Sequence, residues 1–345
     1  MHLTLAARTV VEQRLAHLQR VRRHVTIDGD THPSGADLFD QEILRRTASD
    51  LNYYHGRPVT GDELLREMDQ AGVDMALSWQ NPAVTRYGSD ITENYRSLEA
   101  ANRYISRFSG EHPTRIIPAG WTDPKALGVA GAIDLVRLCV EEFGFPVVKM
   151  NPAQNRYRID SSEVTEVLDA IVGLGAVPAF HFGSDSEFTP ADGLEAIAAR
   201  HPEHPVIAVH MGGGGGHYVE ADPLYIAARE LGLKRPNIFY ILSAKRDTHI
   251  ESALITYLLA GEPFSRNIAV GSDIPYGRIT WNFGGYRGLF AALKDSERHN
   301  DARVRNHPGL FTEAAIQNFM GGNLADLIIR SDQRRLNPSS GGSAR

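Results

Sequence analysis

Residues 24–35 read HVTIDGDTHPSG. The first part, HVTID (24–28), is short, apolar and β-branched, as a buried strand is, and the remainder has the Gly, Pro, Asp and Ser content of a turn. An open, doubly wound sheet usually carries a glycine-rich dinucleotide fingerprint at its first strand-to-helix turn. No G-x-G-x-x-G occurs here. The turn offers Asp28, Asp30 and His32 instead, all side chains able to bind a metal ion.

Downstream the same grammar repeats. Strand candidates follow at VDMALSW (73–79), RIIPAG (115–120), FPVVKM (145–150), AVPAFHF (176–182), HPVIAVH (204–210), NIFYILS (237–243) and NIAVGSD (267–273). Helical patterns lie between them at 61–72, 93–108, around Cys139, 161–175, 192–200, 218–232 and 248–261, with further helices over 285–297 and 311–330. Eight strands alternating with helices over about 300 residues predict an α/β fold, a closed (β/α)8 TIM barrel in one domain. The barrel is assigned to residues 25–330. Val10, Val11, Leu15, Leu18 and Val21 recur at helical spacing, so residues 1–24 are read as an N-terminal helical extension. That helix either closes the bottom of the barrel or packs on a second subunit. The stretch 331–345, ending RRLNPSSGGSAR, has the composition of a flexible tail.

Composition narrows the function. Of 345 residues, 42% are apolar and 23% charged, with a net charge of −6. No basic run is present to track a phosphate backbone, which argues against nucleic acid as a partner. No apolar run approaches the roughly 18 residues of a membrane span. The single cysteine, Cys139, excludes an internal disulfide framework and any multi-cysteine metal site. With no signal-like start, it points to the cytoplasm.

In a (β/α)8 barrel, chemistry sits at the C-terminal ends of strands. Those ends carry Asp28, Asp30 and His32 on strand one, Lys149 on strand four, His181 on five, His210 on six and Asp273 on eight. Residues i and i+2 of a strand share a face, so Asp30 and His32 can bind one ion together. His181 adds an imidazole and Asp273 a second carboxylate. Two histidines and two carboxylates suit one divalent ion, Zn²⁺ or Mn²⁺. His210, on a separate strand, is assigned to proton transfer or charge stabilisation, with Asp273 as its catalytic companion. Lys149 is a candidate for binding a substrate carboxylate; a carbamylated bridge between two metals and an internal ion pair are the alternatives. After His210 comes MGGGGGHY (211–218), a glycine run that leaves room at the barrel mouth and places Tyr218 near substrate. It lacks the G-K-[ST] of a nucleotide loop.

TIDGDTHPSG, VVKMNP, PAFHFG, VIAVHMGGG, NIAVGSDIPYG and IQNFMGGNLADLI, in this order, resemble the amidohydrolase-related family of the amidohydrolase superfamily. That family includes aminocarboxymuconate-semialdehyde decarboxylase-like enzymes and metal-dependent hydrolases. The resemblance spans about residues 25–330. It implies a distorted barrel with the metal at the C-terminal mouth. The implied ligands are Asp30, His32, His181 and Asp273, with His210 acting on substrate and Lys149 as the strand-four lysine. The superfamily usually opens with His-x-His, whereas this chain has Asp30-Thr31-His32. The added negative charge favours a harder ion such as manganese.

Three functions follow as expectations. The first is metal-dependent hydrolysis of an amide, lactone or related bond. The second is non-oxidative decarboxylation of a small aromatic or unsaturated acid, for which an arginine aimed at a second carboxylate (Arg57, Arg156 or Arg278) would argue. The third is an inactive barrel that binds a ligand. The partner in each case is a small molecule, and a homo-oligomer is expected.

Overall fold

A parallel strand is buried on both faces, and the eight apolar runs of this sequence form such strands. The computed structural model describes residues 3–38, 58–183, 186–213, 222–244 and 247–337. In chain order the main elements are α1 (Leu5–Val21), β1 (Ile27–Thr31), α2 (Gly61–Ala71), β2 (Met75–Ser78), α3 (Ile91–Glu111), β3 (Ile116–Trp121), α4 (Pro124–Arg137), β4 (Val147–Met150), α5 (Ser162–Gly173), β5 (Val177–His181), α6 (Ala191–Arg200), β6 (Val206–Val209), α7 (Pro223–Lys234), β7 (Ile238–Leu242), α8 (Asp247–Ala260), β8 (Ile268–Val270), α9 (Ile279–Lys294) and α10 (Asn323–Leu336). The strands pair in sequence order, all parallel, from β1 to β8. The fold is a (β/α)8 TIM barrel with an N-terminal helix.

The ladder runs from Ile27 opposite Met75 to Leu242 opposite Val270, with a shift in register on β1 between Asp28 and Thr31. Its central residues, among them Val147, Val177, Ile207 and Ile241, are fully buried. The ring closes differently from the rest. β1 and β8 meet through the Asp273 amide on the Asp30 carbonyl (2.9 Å), the His32 amide on the Ile274 carbonyl (2.9 Å) and one parallel bridge, Thr31 with Ile274. Gly29 and Gly271 make this approach possible. A Cβ on Gly29 would stand 2.9 Å from the Val270 carbonyl oxygen, and one on Gly271 would stand 3.0 Å from the Asp30 amide nitrogen.

Helix α1 packs on its own barrel. Ala7, Val11 and Leu18 are buried, and Arg14 reaches Asp332 of α10 through two hydrogen bonds (2.8 and 2.7 Å) and the Gly144 carbonyl (2.9 Å). Gly144 precedes β4, so α1 lies at the N-terminal end of the barrel. The C-terminal pattern differs from the expected single helix over 311–330. A short helix (Glu313–Gln317) leads into an irregular turn (Asn318–Gly322), because the backbone of Gly321 lies where a Cβ would meet the Val25 carbonyl oxygen at 2.2 Å. Helix α10 then runs through Leu336, into the stretch assigned from sequence to the tail. Asp332 and Arg335 are buried there against α1, which holds the last turn in place.

Candidate metal centre

Asp30 stands in β1 and His32 one residue beyond it, both fully or nearly fully buried at the C-terminal end of the barrel. The alternation of the strand turns both toward the axis. The Asp30 Oδ1 lies 3.3 Å from His32 Nε2, and Asp273 Oδ1 lies 3.4 Å from the same nitrogen. One ligand atom from each of Asp30, His32 and Asp273 falls within 4.8 Å of the others. All three residues are buried.

The hydrogen bonds fit this group to a cation. His32 Nδ1 donates to the Gln80 carbonyl (2.8 Å), which can only accept, so Nε2 faces the two carboxylates. Two anionic oxygens beside an imidazole nitrogen need positive charge between them, either a proton or a metal ion. Burial opposes charge on His32, but Asp273 and Asp30 outweigh it and raise its pKa. Burial likewise works against ionised Asp30, and Lys149, His32 and His210 overcome it, holding the carboxyl well below the usual range. Two carboxylate oxygens and one imidazole nitrogen are donors suited to a borderline or hard divalent ion.

Lys149, at the end of β4, is buried with its Nζ 3.6 Å from Asp30 Oδ1. The ammonium sits 3.9 Å from the Trp79 ring centroid and 5.3 Å from that of Trp121. Desolvation lowers its pKa, while Asp30 and Asp273 pull it back up. The internal ion pair is the arrangement present.

His210 follows β6 and holds a left-handed φ of 78°; Asp273 follows β8 with φ 60°. Non-glycine residues adopt this region at a cost of about 1–2 kcal/mol, and such strain clusters at functional sites. Ser243, at the tip of β7, joins the two ends of the group. Its hydroxyl has one proton, which goes to Asp30 Oδ2 at 2.6 Å because a carboxylate only accepts. The hydroxyl oxygen therefore accepts from His210 Nδ1 at 3.0 Å, and the Ser243 carbonyl lies 3.3 Å from the same nitrogen. His210 thus carries its hydrogen on Nδ1 and presents Nε2 as the free nitrogen. Burial lowers its pKa despite the pull of Asp273 and Asp30.

His181 stands apart from the compact group of three. Its ring packs against His210 with centroids 4.7 Å apart, in a T-shaped arrangement. Burial, His210 and Lys149 push its pKa far down, so it is a neutral imidazole. Tyr218, His217, Arg57 and Gly214 to Gly216 lie outside the described residues. Of the other arginines considered, Arg278 pairs with Glu67 (2.7 Å), and Arg156 is an exposed residue closing a short helical turn. Ser243 and Trp79, whose Nε1 donates to Asp30 Oδ1 at 2.9 Å, escape a search by residue type. Their signal was positional, since each is the last residue of a strand candidate. Clefts of about 630 and 550 Å³ open at the opposite, N-terminal face around His24 and lack such a convergence of ligands.

Residues 10–275 match the protein family described as Amidohydrolase. The chain belongs to the amidohydrolase family. Among solved structures, this amidohydrolase superposes on 2,6-dihydroxybenzoate decarboxylase from Rhizobium with a TM-score of 0.62 at 14% identity, covering 88% of this chain and 98% of the other. A dihydroxybenzoic acid decarboxylase from Polaromonas sp. JS666, with bound manganese and the inhibitor 2-nitroresorcinol, gives 0.60 at 18% identity, with coverages of 88% and 96%. The 4-oxalomesaconate hydratase of Rhodopseudomonas palustris gives 0.60 at 17%, with 91% and 99%. At these identities the likeness is one of fold. A comparison with curated proteins finds no match.

Proposed function

We propose that this amidohydrolase is a metal-dependent carboxy-lyase, removing carbon dioxide from a small hydroxylated aromatic or unsaturated acid. The observation that carries the reading is the buried ammonium of Lys149, 3.6 Å from Asp30. Asp30 and Asp273 contribute two negative charges, Lys149 one positive, and a divalent ion two more. The loaded centre then has one positive charge in excess, walled off from water, which favours an anionic substrate. Such an anion is a carboxylate set against the ion and Lys149. The neighbours in fold that act on dihydroxybenzoates, one with manganese bound, support the same reaction class.

Asp30, His32 and Asp273 would hold the ion, with His181 as a further imidazole beside His210. Bound there, the ion supplies a Lewis acid for the substrate carboxylate and an adjacent oxygen. Lys149 fixes the carboxylate's orientation, and the Trp79 and Trp121 rings exclude water from it. His210 Nε2 and the Asp273 carboxyl are the two positions able to hold the proton delivered to carbon. The proton bonds to the carbon bearing the carboxylate, the bond to that carboxylate breaks, its electron pair stays with the carbon skeleton, and carbon dioxide leaves. Tyr218 is assigned to substrate contact from its place after the glycine run.

Protein loaded with Mn²⁺ and incubated with 2,6-dihydroxybenzoate and related hydroxyaryl acids should release carbon dioxide. In ¹³C-bicarbonate with resorcinol, label should enter a carboxylate. Cleavage of aryl amides or lactones, with no carbon dioxide from any acid in the panel, would return the chain to the hydrolases.

A further inference from the structure

The N-terminal end of the barrel, opposite the metal centre, carries two adjoining clefts of about 630 and 550 Å³. His24 lines both and joins them. Each has the size of an ordinary small-molecule site. Neither takes part in the chemistry proposed above.

The larger cleft is lined by cations from separate elements. Arg22 and Arg23 follow α1, and Arg266 stands in the turn before β8. Positive charge at the C-terminus of a helix is ordinary, because it meets the negative end of the helix dipole, so Arg22 and Arg23 alone would need no further reason. Arg266 comes from the other end of the chain and lines the same cleft. The carboxylates there are already engaged. Asp326 accepts from Arg22 (2.8 Å), and Glu313 pairs with Lys294. The arginines are not used up. Arg22 gives Asp326 its Nη1, and Arg266 gives Glu262 its Nε (2.9 Å), so each keeps further N–H donors. Arg23 is exposed and has no carboxylate partner among the described residues. In a chain of net charge −6, this cleft holds cations in excess.

The smaller cleft differs in kind. Among its lining residues Val25, Met68 and Val73 are buried and Val21 is half-buried. Its two carboxylates are engaged as well, Asp69 with Arg115 (2.7 Å) and Asp74 with the Thr26 amide (2.8 Å). His17 Nδ1 accepts from Arg20 (3.1 Å), since a guanidinium only donates, and burial followed by the Arg20 charge lowers its pKa, so the ring is neutral with its hydrogen on Nε2.

The pair of clefts selects a ligand. A metal ion would find every lining carboxylate already engaged. A simple inorganic anion would leave the apolar cleft unused. One carboxylate is satisfied by one guanidinium fork, whereas a phosphate monoester has three terminal oxygens and about two charges to share among several. We propose that the two clefts form one binding site for a small organic phosphate, its head against Arg22, Arg23 and Arg266 and its apolar or aromatic body along Val21, Val25, Met68 and Val73. The site is independent of the reaction at the opposite end of the barrel.

The test uses 4-fluorophenyl phosphate, followed by ¹⁹F NMR during titration with full-length protein, both loaded with Mn²⁺ and treated with chelator. 4-Fluorophenol and inorganic phosphate, the two halves of the probe, are titrated alongside, the phosphate by displacement of the ester. The ester should bind saturably with or without metal, about tenfold more tightly than either half, the scale of one further favourable contact. Arg23→Ala combined with Arg266→Ala should weaken the ester about tenfold or more and leave 4-fluorophenol unchanged. Arg23→Glu, at an exposed position, should weaken the ester to at least the same degree and serves should the double variant fail to fold. No saturable binding, binding lost on chelation, inorganic phosphate binding as tightly as the ester, or an affinity unmoved by the arginine substitutions overturns the site.

Discussion

A single hydroxyl proton sets the arrangement of the acid–base group. Because Ser243 must give its hydrogen to Asp30, His210 is fixed with Nδ1 protonated and Nε2 free. His210→Asn should therefore keep the metal, since the ligand group of Asp30, His32 and Asp273 is untouched, while kcat falls by about 10²–10⁴-fold. Elemental analysis and steady-state rates measured on one preparation check both halves. Metal lost along with activity would make His210 a ligand, and near-normal turnover would make it structural. Much of this was legible in the sequence. Asp30, His32, Lys149, His210 and Asp273 announce themselves by residue type at strand ends, and they converge. Ser243 and Trp79 do not, because serine and tryptophan at a strand tip are ordinary core or turn residues until their partners are known. His181, whose type and position both fit a ligand, packs its ring against His210 beside the compact trio.

At the scale of elements, the alternation of apolar runs fixed the strand order, while boundaries moved by a few residues. Asp30 lies inside β1 rather than beyond it, since a strand entering a barrel mouth can bury a carboxylate that hydrogen bonds satisfy, here from Trp79 and Ser243. The fate of the N-terminal helix was not legible, as an amphipathic stripe says only that some surface covers it. That surface is α10 of the same chain. Elements also differ in their response to acid. His204, just before β6, hydrogen-bonds the Ala176 carbonyl before β5 at 2.8 Å, and burial, with Arg334 nearby, holds its pKa down to about 4. The unfolded chain binds this proton near pH 6.5, the folded chain only near 4. Stability from this group is therefore full above pH 6.5 and is lost as pH falls through that window. His204→Gln should flatten the dependence of Tm on pH between 6.5 and 4. A slope unchanged by the substitution would place the acid sensitivity elsewhere.

For the molecule as a whole, the buried centre carries charges that a bound ion would balance. Removing the ion from purified protein with a chelator should lower Tm, and adding Mn²⁺ or Zn²⁺ should raise it in proportion to the logarithm of free metal. Elemental analysis should return one equivalent per chain, because Lys149 is engaged with Asp30 and the Trp79 face and does not present itself as a bridge. A titration saturating at two equivalents, or a Tm indifferent to metal, would contradict this. The position of the centre has a consequence for biosynthesis. Its carboxylates come from opposite ends of the chain, Asp30 from β1 and Asp273 from the residues after β8, and they meet where the ring closes. During translation the first half of the site waits while seven strands are made. A nascent chain stopped short of residue 273 holds Asp30 and His32 without their partner. Metal capture is therefore a late event, open only once the eighth strand has left the ribosome, and an ion that binds then clasps shut a barrel whose other seven seams are already sewn.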